Sequence, residues 1–252
     1  MERCYFYYKM PPAMPRKIII IGASSGIGKE LVLLYAARGE QVTITGRREA
    51  LLKDIQQQYP NRIIARPFDA TAPDNRDQLE SLVAELGGLD LFIYNAGYGA
   101  VSKELDWFNE RATTETNVHG FLALVHYVFT YFCLQGRGQI ALISSVAALR
   151  GNSWAPAYSA SKAFMSNYAE GLQMKAARMN KDIVITDIRP GFVNTKMSGG
   201  NQRFWMSSPQ KAARQIMTAI DRKKRIAYIT RRWWIIAQVM KLLPYTLYRR
   251  LV

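Results

Sequence analysis

The amino-acid sequence predicts an α/β fold, a doubly wound parallel sheet of about seven strands with helices on both faces. Three observations carry this expectation. Runs rich in Val and Ile alternate with stretches of helical spacing along the chain, and that alternation builds parallel βαβ units. The first run, Lys17-Ile18-Ile19-Ile20-Ile21, has no polar break after its lysine, as in a strand buried on both faces. A glycine-rich turn, Gly22-Ala23-Ser24-Ser25-Gly26-Ile27-Gly28, joins that run to a segment, 29–37, whose apolar residues recur with a helical period.

The elements follow in order. Strands are expected over residues 17–21, 41–45, 62–66, 89–94, 139–144, 183–188 and 225–230, with helical patterns between them, the last at 209–222. In open sheets of this kind ligands bind at the carboxyl ends of the strands, and every candidate site residue falls at such an end or just beyond it. After the first strand, Gly22 permits a tight turn, Gly26 lets backbone approach a pyrophosphate, and Gly28 allows close helix–strand packing. The helix that follows offers free N–H groups and a positive dipole to phosphate. A glycine triplet alone is weak evidence, and its place between a strand and a helix strengthens it. After the second strand the chain continues Gly46-Arg47-Arg48. A carboxylate at the first of these positions would bind a ribose 2′-hydroxyl and repel a 2′-phosphate. Its absence, with the guanidinium fork of Arg47 and assistance from Arg48, favours NADP(H). Two arginines on an exposed helix start are the plain alternative.

Chemistry is suggested by Tyr158-Ser159-Ala160-Ser161-Lys162. Positions i and i+4 share one helical face, with Cβ atoms about 5–6 Å apart. A phenol holds its proton to a pKa near 10, and a neighbouring ammonium is expected to lower that value, making Tyr158 a useful general acid or base. Such pairs also arise by chance on solvated helices. Ser145, at the strand end Ile143-Ser144-Ser145, adds weight.

Together these motifs make the chain, from about Lys17 to about Asp221, similar to the short-chain dehydrogenase/reductase family, whose fold is Rossmann-type. The family's glycine motif is Ile21 through Gly28, with Ile21 in place of a threonine. Its Asn-Asn-Ala-Gly motif is Tyr94-Asn95-Ala96-Gly97, lacking the first asparagine, and its Pro-Gly motif is Pro190-Gly191, followed by Thr195. The resemblance implies catalytic residues Asn117, Ser145, Tyr158 and Lys162. It implies that Ser24, Ser25 and Ile27 of the turn, with Asp69, Asn95, Ala96, Gly97, Val193 and Thr195, contact the cofactor. Asp69 would lie near the adenine, with turn capping as its alternative; Asn95 would hold the central sheet beside the cofactor, Val193 would contact the nicotinamide through its backbone, and Thr195 its carboxamide. Tyr158 would donate a proton to the developing alkoxide, Lys162 would bind the nicotinamide ribose, Ser145 would orient the carbonyl, and Asn117 would anchor a water leading to solvent. The implied activity is NADPH-dependent reduction of a ketone to a secondary alcohol, or the reverse. A non-catalytic NADP-binding sensor or scaffold, and a membrane-docking protein with incidental activity, are the rival readings.

Length and composition set bounds. A chain of 252 residues with 49% hydrophobic content can bury one large core. Residues 1–16 read as an N-terminal extension, with Met14 an alternative start, 17–230 as a single domain and 231–252 as a helical tail. Cys4 and Cys133 form neither a disulfide framework nor a metal-ligand spacing, which fits a reducing, cytoplasmic setting. His119 and His126 lack ligand partners at suitable spacing, so no metal is expected. No run approaches the roughly 18 apolar residues of a membrane span. The segment 117–129 is apolar nearly all round and is expected to be buried on more than one side. The resemblance implies that it builds a homodimer or homotetramer, with a monomer covering it by the C-terminal tail as the rival.

The formal charge is +15, and after Asp221 no acidic residue follows. Basic residues flank Trp- and Leu-rich segments in 231–250, as in helices lying on an anionic membrane, at the inner face of which the protein would be peripheral. A tail that packs over the substrate pocket or the dimer partner, its charges merely solvated, is the equal alternative. Nucleic acid is not expected, since no recognition motif accompanies the charge. Residues 196–208, with Phe204, Trp205 and Met206, are expected to form a lid. With Trp154 and the tail aromatics they suggest a large apolar carbonyl substrate, such as a 3-keto lipid, a 3-ketoacyl thioester or a steroid-like ketone.

Overall fold

Seven strands make one parallel sheet. They are β1 (Lys17–Ile21), β2 (Gln41–Gly46), β3 (Ile63–Pro67), β4 (Leu91–Tyr94), β5 (Arg137–Ile143), β6 (Asp182–Pro190) and β7 (Ile226–Ile229). Their spatial order is β3-β2-β1-β4-β5-β6-β7, so the direction of winding reverses between β1 and β4. The computed structural model describes residues 14–101, 104–195 and 205–250. The N-terminal stretch before Met14, including Cys4, and most of the expected lid, including Phe204, lie outside them.

Helices cover both faces: α1 (Gly26–Ala37), α2 (Glu49–Gln56), α3 (Asn75–Leu86), α4 (Trp107–Thr114), α5 (Phe121–Gln135), α6 (Pro156–Arg178) and α7 (Pro209–Asp221). The period of two along β1 sorts its side chains between two cores. Ile18 and Ile20 join Leu31, Val32, Leu52, Ile216 and Ile220, from α1, α2 and α7. Ile19 and Ile21 join Leu79, Leu124, Val128, Met165 and Leu172, from α3, α5 and α6. Both apolar faces of the strand are thereby used, which is why β1 needs no polar position. Two helix starts carry side-chain caps: Ser208 Oγ accepts from Lys211 N ahead of Pro209, and Asp106 accepts from Phe108 N ahead of α4.

Helices α4 and α5 are joined by a wider π turn, Glu115–Gly120, into one rod from Trp107 to Gln135. Among the described residues it is the one helix long and apolar enough to cross a membrane, although no uninterrupted apolar run is present. Its α5 part is a core helix, while Trp107 and Phe108 at its start are exposed. Phe121, Leu124, Val125, Val128, Phe129 and Phe132 are buried against the sheet. The expectation of burial on several sides is met on that stripe alone, because Leu122, His126, Thr130 and Leu134 lie exposed on the opposite side.

Beyond β7 the chain forms α8 (Trp233–Leu242) and the short α9 (Tyr245–Tyr248). Trp233 is buried on Phe192, edge to face with ring centroids 5.2 Å apart. Its indole lies against Gly191, where a Cβ would overlap the ring. Arg150 Nη1 donates to the carbonyl oxygens of Met240 (3.1 Å) and Leu243 (2.9 Å), and Tyr248 Oη donates to Gly151 O at 2.8 Å. The tail therefore packs over the carboxyl end of the sheet, the second of the two placements its sequence allowed.

Candidate active site

A cavity of about 760 Å³ opens at the carboxyl ends of β1, β4, β5 and β6. All the residues expected at the site line it except Gly28 and Asn117. Those two lie behind it and hold its walls. Gly28 packs so closely that a Cβ would overlap Gly22 O and come within 2.6 Å of Asn95 Nδ2.

The glycine turn shows why its residues are what they are. Gly22 has φ +81°, and a Cβ there would sit 2.6 Å from Ala96 N and Cα; at Gly26, φ +59°, a Cβ would press on Thr195 Cγ2 at 3.0 Å. Left-handed backbone and crowding together exclude other residues. The amides of Gly22 and Ala23 both donate to Thr45 O, and Asn95 Nδ2 donates to Gly22 O at 2.6 Å. The turn is thus clamped between β2 and the end of β4. Ser25 begins α1 without a side-chain cap, and no acid occupies the first turn, so the helix N-terminus keeps its affinity for an anion. Arg48 Nη2 donates to Ser24 Oγ (2.6 Å) and Ser25 Oγ (2.9 Å). It is Arg48, more than the exposed Arg47, that is fixed over the turn. Open backbone, a helix N-terminus and two cations suit a dinucleotide phosphate. Asp69 Oδ1 accepts from Thr71 N and Oγ1 at 2.9 and 2.8 Å, so it caps its own turn while still lining the cavity.

The proton-handling residues converge from three elements. Tyr158 and Lys162 share one face of α6, with Lys162 Nζ 5.7 Å from the Tyr158 ring centroid. Lys162 is buried; Nζ donates to Ile143 O at 2.9 Å and approaches Met165 Sδ at 3.4 Å. Burial lowers its pKa to about 8, opposed by the charge of Asp187. Burial raises the Tyr158 phenol above its ordinary value, opposed by a hydrogen bond with Ser145. Here the sequence expectation needs correction. The ammonium one turn along is not what acts on the phenol, because it bonds to Ile143 O and is itself poorly solvated. Desolvation is the larger effect, and Ser145 supplies the counterweight. Ser145 Oγ also accepts from Ala147 N at 3.1 Å.

Asn117, wholly buried, lies in the π turn. Its Oδ1 accepts from Tyr98 N (2.9 Å), and its Nδ2 donates to Tyr98 O (2.7 Å) and Ser161 Oγ (2.9 Å). It ties the loop after β4 to α6. On the Pro190-Gly191 side, Asn194 N donates to Ser207 O and Ser207 N to Phe192 O, both at 2.9 Å. That bridge bypasses the Val193 amide. The histidines stand apart, and no cluster of metal-binding residues occurs among those described.

Several residues at the site were missed by sequence reasoning. Tyr94, which replaces the family's asparagine, is buried and donates from Oη to Thr116 O at 2.6 Å, steadying the π turn beside Asn117. Asp187 accepts from Ser144 Oγ, and from Arg189 Nε at 2.7 Å. A carboxylate inside the buried part of β6, between Thr186 and Ile188, was the signal for it. Trp233 and Tyr248 line the cavity as a tail packed over the pocket would have them do, and Met240 joins them. Gly99 supports the Tyr158 ring face, and a Cβ there would overlap Cδ2. Gly99→Ala is therefore expected to displace the phenol and lower turnover by about 10²-fold, the scale of an ångström misplacement. Cofactor affinity, read by fluorescence titration, should change little.

Residues 16–204 match the profile of the short chain dehydrogenase family. The chain is 35% identical over 192 residues to an uncharacterized oxidoreductase of Myxococcus xanthus, covering 74% of this chain and 75% of that protein. It is 30% identical over 249 residues to an uncharacterized oxidoreductase of Mycobacterium tuberculosis, covering 93% and 96%. In fold it is similar to a short chain dehydrogenase from Burkholderia cenocepacia solved in complex with NADP, with a TM-score of 0.81, 22% identity, and coverage of 94% and 98%. With a family match over most of its length and relatives at this identity, the chain belongs to the short chain dehydrogenase family of oxidoreductases.

Proposed function

We propose that the protein is an NADPH-dependent reductase that converts an apolar, lipid-like ketone to a secondary alcohol. The observation that carries this reading is the convergence of Ser145, Tyr158 and Lys162 on one cavity with the glycine turn and Arg48. A nicotinamide cofactor bound there supplies the hydride. Tyr158, its pKa raised, remains protonated near neutrality and so is held ready as an acid for an oxygen gaining negative charge. Ser145 donates to the same oxygen and orients it. Lys162, held by Ile143 O, is the donor for the nicotinamide ribose hydroxyls, and Asn117 holds the loop and α6 in register around them. The reverse oxidation uses the same groups.

Arg48, fixed over Ser24 and Ser25 with Arg47 beside it and no acid at Gly46, supports NADP(H) over NAD(H). Arg48→Ala is expected to weaken NADPH binding by about tenfold, the worth of one charge-assisted hydrogen bond, and to leave NADH binding unchanged. Fluorescence titration with both cofactors reads the difference. The substrate class rests on Trp154, Phe192, Val193, Trp233 and Met240 in the cavity wall. Long-chain and short polar ketones compared by NADPH absorbance test it; equal turnover of small polar ketones overturns it. The exposed row Leu122, His126, Thr130 and Leu134 supports a homodimer or homotetramer built on α5. The free thiol of Cys133 fits a cytoplasmic setting.

A further inference from the structure

The outward face of α8 and α9 plays no part in the cavity. Trp234, Ile235, Val239 and Leu242 form a row on the side of α8 opposite Trp233, Ala237 and Met240. They are 55%, 57%, 52% and 83% exposed, and past Pro244 Tyr245 (70%) and Leu247 (50%) continue the surface. The helix is thus apolar nearly all round, a pattern that fits removal of both its sides from water. Arg231, Arg232, Lys241, Arg249 and Arg250, all exposed, surround the row, and no acidic residue follows Asp221. Arg232 lies at the cavity end of the row, its guanidinium 5.3 Å from the Trp205 ring centroid.

We propose that this face seats in the interface of an anionic lipid bilayer. Charge selects that occupant. A second copy docked through the same face would bring two sets of these cations together with no acidic side chain of the tail to pair them, and like charges across an interface are costly. An anionic headgroup layer answers both features. The Trp and aliphatic row enters the acyl boundary, and the arginines and lysine lie on headgroups, each worth about 1 kcal/mol near such a surface. The opposite face of α8 is a wall of the cavity, so docking places that wall beside the lipid. Delivery of a membrane-resident ketone rests on the proposed function; the docking itself does not.

Sedimentation of the full chain with vesicles tests the proposal. The protein is expected to pellet with phosphatidylglycerol-rich vesicles, and more than about a hundredfold more weakly with pure phosphatidylcholine or in high salt. Ile235→Glu with Leu242→Glu is expected to lower vesicle partitioning about tenfold. Its melting curve and its NADPH-dependent turnover of a soluble ketone should match the parent's. Arg249→Gln with Arg250→Gln, further from the sheet, should weaken binding to the anionic vesicles alone. No binding to anionic vesicles, equal pelleting of the glutamate variant, or a loss of dimer in that variant with vesicle binding intact would overturn the proposal, the last by assigning the face to a second copy. Failure of every ketone in a substrate panel would instead sink the reductase reading and leave the vesicle result standing.

Discussion

Tyr158→Phe is expected to lower ketone reduction by about 10² to 10⁴-fold, the usual contribution of a positioned general acid, with NADPH affinity close to that of the parent. The ring keeps its packing against Gly99 and its place beside Lys162, so the variant removes one hydroxyl from a preserved wall. Stopped-flow turnover beside a fluorescence titration separates the two quantities. Retained turnover would show that another group carries the proton, and lost NADPH binding would show that the hydroxyl serves mainly to hold the cofactor. The pH profile gives a second reading. Burial keeps the phenol protonated beyond its ordinary range, so reduction should lose no activity to Tyr158 ionisation near neutrality. Its decline on raising the pH should begin at the lower pKa of Lys162, about 8.

Lys162→Met is expected to abolish activity and yet stabilise the free protein. Burial lowers the lysine from 10.5 to about 8. In the window between those values the unfolded chain binds a proton that the folded chain lacks, so stability rises with pH across it. Below about 8 the folded chain carries the full penalty of a buried ammonium, on the order of 3 kcal/mol at 1.36 kcal/mol per pKa unit. The bond to Ile143 O offsets about 1 kcal/mol of this. At neutral pH the methionine variant should therefore be more stable by about 2 kcal/mol, or about 4–8 °C in Tm for a chain of this size. The difference should shrink as pH approaches 10. Calorimetry at pH 7 and pH 10 checks both points; a lower Tm at pH 7 would mean that the ammonium is a net stabiliser where it sits.

The sheet was legible in the sequence because its central strands are buried on both faces. Runs such as Ile18-Ile19-Ile20-Ile21 admit one interpretation at almost any register. The glycine turn was legible because left-handed backbone and crowding against Ala96 and Thr195 leave no other residue type possible. Electrostatics was less so. Spacing placed Lys162 beside Tyr158 correctly, but which influence governs the phenol depends on solvent access and on Ile143 O, and a linear pattern carries neither. The same is true of Tyr94, whose hydroxyl finds Thr116 only once α4 and the π turn are laid against β4. The tail was ambiguous for a physical reason: a helix apolar on nearly every side specifies burial without saying against what, and the fold uses only its Trp233 side.

Because Trp233, Met240 and Tyr248 complete a cavity whose reactive groups all come from residues before 200, the tail acts as a plug that adds wall without adding chemistry. A graft of that plug between relatives would redraw the shape that a molecule must have to enter, while the machinery that handles protons passes through the exchange untouched. Part of the wall, though not Trp154, Phe192 or Val193, is thereby encoded apart from the groups that react.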